Sequence, residues 1–311
     1  MTSLRGRLRG RSARRSSAPS NITYPHFVVA AWRTVRNTFF YVVSRRRHLS
    51  LEGRLHRAEY RNWSGDRRHA ADVRFPTSVA EVQEIVRASP SVRVVGAGHS
   101  FNDGLKTDGV TLSLDRLAGV VDIDRDRQQV TVRGGTRLRD LTPELLAEGL
   151  AFQTLASHDA QSVAGVLATD VHGTGRGPAH PSDAVVALDL VDGTGVLHED
   201  LAPDDDRFKA AVGGIGAVGV ITKVTFQVGD AFNLRQDTEV RSLDWVEAHL
   251  DELFERHEHV SFYAYPYTDH VHVHSWTRTD DRRSRLGAFR ESLNEAKAAV
   301  AAATFGDAMS H

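Results

Sequence analysis

The sequence predicts an α+β fold, built as two parts of unequal size behind a basic arm. Three observations predict it: short β-type apolar runs mix with helix-period segments without strict βαβ alternation, glycine clusters directly follow strands, and the composition shifts near Gly229–Asp230. With 311 residues, 41% of them hydrophobic, 25 Gly and no Cys, the chain can bury two cores. The missing Cys excludes a disulfide scaffold, a thiol enzyme and a zinc-cysteine module.

The arm comes first. Residues 1–51 hold 11 Arg and no acidic residue, so the rest of the chain carries 28 basic side chains (39 less 11) against 40 acidic ones. An acidic body excludes an extended nucleic-acid surface, which needs clustered Lys and Arg to neutralise phosphates. Residues 1–20 have almost nothing to bury and are expected to be disordered. Phe27–Val43 is apolar and aromatic but carries Arg33 and Arg36, which argues against a membrane span. As a helix it would suit an anionic membrane surface or pack against the body. The expected location is the cytoplasm, with possible membrane contact through this arm.

In the body, Thr77 or Ser78 with Glu81 opens a helix that Ser89–Pro90 stops, and Val92–Val95 follows as a short strand. Strands are expected at Val110–Leu114 and Gln129–Val132, then a helix over Arg137–Glu148 closed by Gly149, and another from Ser162. Ala184–Val191 and Val218–Val228 complete the strands, with a helix at Asp206–Val212 between them. Asp204–Asp206 supplies acidic charge at that helix's start. Beyond the shift, Leu243–His257 has amphipathic spacing, Val260–Tyr267 and His270–Thr277 form a hairpin pattern, and Asp281–Phe305 is helix-forming. The expected parts are thus 1–51, 52–228 and 229–311.

Val94-Val95-Gly96-Ala97-Gly98-His99-Ser100-Phe101-Asn102 places glycines directly after a strand, where backbone N–H groups can form a nest for a pyrophosphate. The turn runs on into another strand, so it is not a Rossmann fingerprint, and Gly98-His99-Ser100-Phe101-Asn102 lacks the last glycine of a nucleophile elbow. Gly214-Ile215-Gly216-Ala217-Val218-Gly219 matches GxGxxG, but a helix precedes it and a strand follows, the reverse of the order a phosphate site requires. In Ser162-Val163-Ala164-Gly165, leading to His172-Gly173-Thr174-Gly175, small residues would let a flat ligand approach a helix whose N-terminus favours negative charge; close helix packing is the alternative. His270, His272 and His274 alternate on one strand face. Same-face positions on one strand seldom close a tetrahedral site, so no metal site is assigned.

Together Gly96–Ser100, Leu155-Ala156-Ser157, Ser162–Gly165, His172–Gly175 and Gly216–Thr222 resemble the FAD-linked oxidases of the vanillyl-alcohol oxidase superfamily, in the sugar-lactone and alditol oxidase branch. The resemblance covers about residues 60–277. It implies a two-subdomain PCMH-type FAD-binding domain followed by an incomplete α+β substrate (cap) domain. It implies that Val94, Val95, Gly96, Ala97, Gly98, His99 and Ser100 bind the FAD pyrophosphate, with His99 joined covalently to the flavin 8α carbon. Ser162, Gly165, Val166, Leu167 and Ala168 would line the cofactor, Ser157 would face flavin and substrate, and Ile221 would offer backbone groups. The implied reaction is oxidation of a CH–OH group of a sugar lactone or polyol, with oxygen as acceptor giving hydrogen peroxide, or a quinone or cytochrome in its place. Family chains run longer, so the catalytic residues, a basic group among them, are expected beyond His311, with a truncated, catalytically incomplete FAD-binding protein as the alternative, and Lys297 is expected to be solvated.

Overall fold

The computed structural model describes residues 58–62, 67–156, 158–175, 177, 179–264 and 268–281. The arm, the Phe27–Val43 segment, Lys297 and the helix expected from Asp281 lie outside these residues, apart from Asp281 itself.

Four strands form the first sheet, in the order β1 (Ala58–Arg61), β2 (Arg68–Arg74), β4 (Val110–Ser113), β3 (Val92–Val95). The β1–β2 pair is antiparallel, whereas β2–β4 and β3–β4 are parallel. Helix α1 (Val79–Ala88) makes the crossover between β2 and β3. Ser78 Oγ accepts from Glu81 N at 3.2 Å and the Glu81 carboxylate reaches back to Thr77 N at 2.7 Å, so the expected cap forms with its return bond one residue earlier. Val82 and Val86, one turn apart, bury that helix's inner face. Every residue of β4 is buried, as befits a strand flanked on both edges.

The second sheet is fully antiparallel: β5 (Val120–Asp124), β6 (Gln129–Arg133), β10 (Gly219–Gln227), β8 (Val185–Asp192), β9 (Leu197–Leu201). Helix α2 (Leu138–Ala147) contributes Leu138, Leu141 and Leu145 to the same core as Val130, Val132, Leu188, Val224 and Phe226. Gly149 closes α2 at φ +73°, where a side chain would be strained. Helix α3 (Val163–Ala168) is buried around most of its circumference, with Val163, Val166 and Leu167 at most 2% exposed. Helix α4 (Asp206–Ala211) is capped by Asp205, whose carboxylate accepts from Arg207 N, so the acidic run is the helix start that the sequence suggested.

After β10 the chain adds β11 (Gly229–Asp230), which pairs with β7 (Leu150–Ala151). A third sheet follows in the order β12 (Asn233–Arg241), β14 (Val271–Thr279), β13 (His259–Ala264), with helix α5 (Leu243–Arg256) on one face. Val246 of α5 meets Val260, Val271 and Val273 in a small core of its own. The expected hairpin is present, with Phe262 opposite Val273. Strand β12 was not expected: its nine residues are all exposed and show no alternation of apolar and polar side chains.

Candidate cofactor cradle

Strand β3 ends in a turn that opens with Gly96, and Gly98 adopts φ +71°. Among the described residues, the backbone N–H groups of Gly96, Ala97, Gly98 and Ser100 donate to no other group. Neighbouring carbonyls are held from outside: Asn62 Nδ2 donates to Ser100 O at 2.9 Å and Arg67 Nε to Phe101 O at 3.2 Å. The turn is therefore fixed in place while its N–H groups stay available to an anion.

The turn lies against α3. A Cβ on Gly96 would stand 2.5 Å from Ser162 Oγ and one on Gly165 would stand 2.9 Å from the same atom, so the two glycine clusters meet at Ser162. The start of α3 offers no comparable donors. Val163 N donates to Thr136 O at 2.8 Å, Ala164 N to Gly134 O at 2.9 Å, Val166 N to Ser162 O at 2.9 Å and Gly165 N to Ser162 Oγ at 3.3 Å. The N–H groups at this helix start are therefore spent within the protein, and α3 packs closely against the Gly96 turn, whose own N–H groups are not.

Around this junction three buried side-chain atoms have no hydrogen-bond partner: Arg137 NH1, Thr154 Oγ1 and Gln161 Oε1. Such atoms are costly when unpaired in a finished protein, and they mark places where a polar ligand fits. Arg137 pairs with Asp115 through its other terminal nitrogen, and its backbone bridges Ser162. The His172–Gly175 loop lies on Thr154, whose Oγ1 would be 2.3 Å from a Cβ on Gly173. On its other side Thr174 O is hydrogen-bonded to His259 Nδ1, and a Cβ on Gly175 would stand 2.4 Å from Glu258 O. Unspent N–H groups on a glycine turn and unpaired buried polar atoms beside it fit an anionic, polar ligand such as a dinucleotide.

His99 projects from the turn and packs against His158, with ring centroids 4.5 Å apart and planes at 37°. Burial, then the charges of His158, Arg137 and Arg139, push its pKa down to about 4. At pH 7 the His99 ring is therefore uncharged.

The FAD binding domain model matches residues 70–200 and the D-arabinono-1,4-lactone oxidase model matches residues 224–306. The chain belongs to the vanillyl-alcohol oxidase superfamily of FAD-linked oxidases. An L-gulono-1,4-lactone dehydrogenase from Mycobacterium tuberculosis is 37% identical over 240 residues, covering 75% of this chain and 55% of that protein. A D-arabinono-1,4-lactone oxidase from Candida glabrata is 33% identical, covering 67% of this chain and 42% of that protein. Cholesterol oxidase from B. sterolicum shares the fold, with TM-score 0.63 at 20% identity over 82% of this chain and 57% of that one. The chain spans about half the length of the curated relatives it matches.

The remaining residues that the sequence singled out are placed as follows. Ser157 lies outside the described residues. Ile221 is 5% exposed and its carbonyl backs onto Gly134, where a Cβ would come within 2.3 Å. The GxGxxG segment is structural: Gly213 N and Ile215 N donate to Leu167 O and Ala168 O at the C-terminal end of α3, with Ile215 at φ +52° and Gly216 at φ +68°. His272 and His274 lie on one face of β14 opposite Val240 and Thr238, while His270 precedes the strand. Among the described residues no group of three His, Asp or Glu side chains could hold a metal ion, and no helix is long and apolar enough to cross a membrane. The sequence did not single out Arg137, Thr154, Gln161 or His158. None belongs to a glycine motif, and their places depend on contacts distant in the chain.

Proposed function

We propose that this flavoprotein oxidises a CH–OH group of a sugar lactone or polyol, with residues 52–228 as the FAD-binding domain and 229–311 as part of the substrate domain. The observation that carries this is the turn whose Gly96, Ala97, Gly98 and Ser100 N–H groups donate to no other described group, bearing an uncharged His99, in a chain that matches a lactone-oxidase model over 224–306.

FAD when bound supplies the two-electron acceptor for the substrate carbon. The chain's own residues hold and orient it. The backbone N–H groups of Gly96, Ala97, Gly98 and Ser100 would hold the pyrophosphate, with Val94 and Val95 leading into that turn. Ser162, Gly165, Val166, Leu167 and Ala168 would line the cofactor beside that turn. By the family resemblance Ser157 would face the flavin and substrate, Ile221 would contribute backbone groups, and His99 would bond the flavin 8α carbon. No catalytic base is assigned among residues 58–281.

Oxygen is the acceptor in the first reading, giving hydrogen peroxide. A quinone or cytochrome is the second, favoured by the more similar relative's being named a dehydrogenase. The 11 Arg of the arm, with no acidic residue, suit peripheral contact of a cytoplasmic protein with an anionic membrane. Anaerobic mixing of the flavin-loaded chain with L-gulono-1,4-lactone or D-arabinono-1,4-lactone tests the reaction. Bleaching of the flavin band by either lactone is expected, and no bleaching by lactones or by xylitol would overturn it. Restoration of colour by air rather than by an artificial acceptor then distinguishes oxidase from dehydrogenase.

A further inference from the structure

His99 and His158 come from loops 59 residues apart in sequence and meet face to tilted face, 4.5 Å between ring centroids. His158 is held there by the segment that follows it: Arg139 N donates to Asp159 O at 2.8 Å and Leu138 N to Gln161 O at 3.0 Å, clamping this loop to the start of α2. The charged groups packed around the pair are Arg137, held by Asp115, and Arg139, beside Asp140. Both cations oppose a proton on His99, as burial does. The turn's carbonyls are bonded separately, Ser100 O by Asn62 and Phe101 O by Arg67.

We propose that His158 is a positioning residue for flavin attachment, orienting the His99 ring and accepting the proton it sheds as its nitrogen bonds to the flavin. The proposal rests on the covalent linkage put forward above. In that step a nitrogen of His99 joins the 8α carbon, while one C–H bond of the flavin 8-methyl group and the imidazole N–H break. The flavin ring is the oxidant: it takes up the two electrons and, on balance, two protons. Dioxygen or another two-electron acceptor then returns it to the oxidised state. His158 takes the imidazole proton first and releases it to solvent or to the reduced ring. Burial, with the charges of Arg137 and Arg139, keeps His99 from holding a second proton.

The experiment uses FAD-free full chain mixed with FAD, acid-quenched at intervals, with protein-bound flavin fluorescence as the readout. His158→Ala and His158→Gln are compared with the native chain, and His99→Ala serves as the unlinked control. Both His158 variants should bind FAD reversibly within about twofold of the native chain, yet form the covalent bond at least about tenfold more slowly at pH 7. Added free imidazole should restore much of the rate in His158→Ala, and the native pH profile should be lost. Variants that link at the native rate with the native pH profile would overturn the proposal, as would a slow, FAD-binding His158→Ala that imidazole does not rescue. If His158→Ala binds no FAD, His158→Gln decides by the same rate and pH profile. A native chain that forms no bond, indistinguishable from His99→Ala, would overturn the covalent linkage and this proposal with it.

Discussion

Replacing Gly96 by Ala adds one methyl group at the point where the two glycine clusters touch. That Cβ would lie 2.5 Å from Ser162 Oγ but at an ordinary 3.7 Å from Ser162 Cβ and Gly165 Cα, so a single oxygen is the obstacle. Ser162 Oγ must rotate away, and in doing so it gives up its bond to Gly165 N at the start of α3. Loss of such a cap costs about 1 kcal/mol. Residual crowding adds about 1 kcal/mol, and the stiffer unfolded chain offsets about 0.5 kcal/mol. Gly96→Ala should therefore destabilise the FAD-free protein by about 1–2 kcal/mol. Ser162→Ala alone should cost about 1 kcal/mol, and Gly96→Ala made in that background should cost nothing further. Urea unfolding of the four proteins measures the cycle. Equal costs of Gly96→Ala in both backgrounds would refute the assignment of Ser162 Oγ as the contact.

Lys223 bonds Asp189 at 3.0 Å, and that carboxylate's side chain is only 7% exposed. Burial works against the Lys223 charge, but the hydrogen bond and charge of Asp189, then of Asp200, raise its pKa. Lys223→Met leaves a buried carboxylate with Asp200 N as its other donor and should cost about 2–4 kcal/mol, partly recovered by adding Asp189→Asn, as denaturant titration will measure. The depressed pKa of His99 has a defined sign: between pH 6.5 and about 4 the unfolded chain takes a proton that the folded chain refuses. Stability is full above pH 6.5 and falls as pH drops toward 4, by on the order of 1 kcal/mol once the ring's partial exposure is discounted. His99→Gln in FAD-free protein should flatten that part of the stability-against-pH curve, and an unchanged slope would contradict the burial of a neutral ring.

Local chemistry explains which parts were legible in the sequence. Ser78 with Glu81, Asp205 before Arg207 and Gly149 after α2 each act within a few residues, and the helices they bound are present. The glycine turn after Val95 was legible because Gly98 is needed by its own φ of +71°, whereas the need for Gly96 comes from Ser162, far along the chain. Strand β2, Arg68–Arg74, has no alternation of apolar and polar residues and owes its place to pairing with Val110–Leu112. Strand β12 likewise exists because β14 pairs with it along nine residues. In the cradle, the donors at the start of α3 are consumed by Thr136 and Gly134, a non-local fact that no helix-end rule contains. The same holds for His158, which becomes notable only once folding brings it to His99.

The central claim is that FAD sits on the Gly96–Ser100 turn with its flavin bonded to His99. Trypsin cuts after Arg93 and Lys106, so the peptide Val94–Lys106 contains that turn and His99 as its sole histidine. Mass spectrometry of a digest of the FAD-loaded protein should find the flavin on this peptide, and on none in His99→Ala. Flavin released entirely on denaturation, or carried by another peptide, would contradict the account.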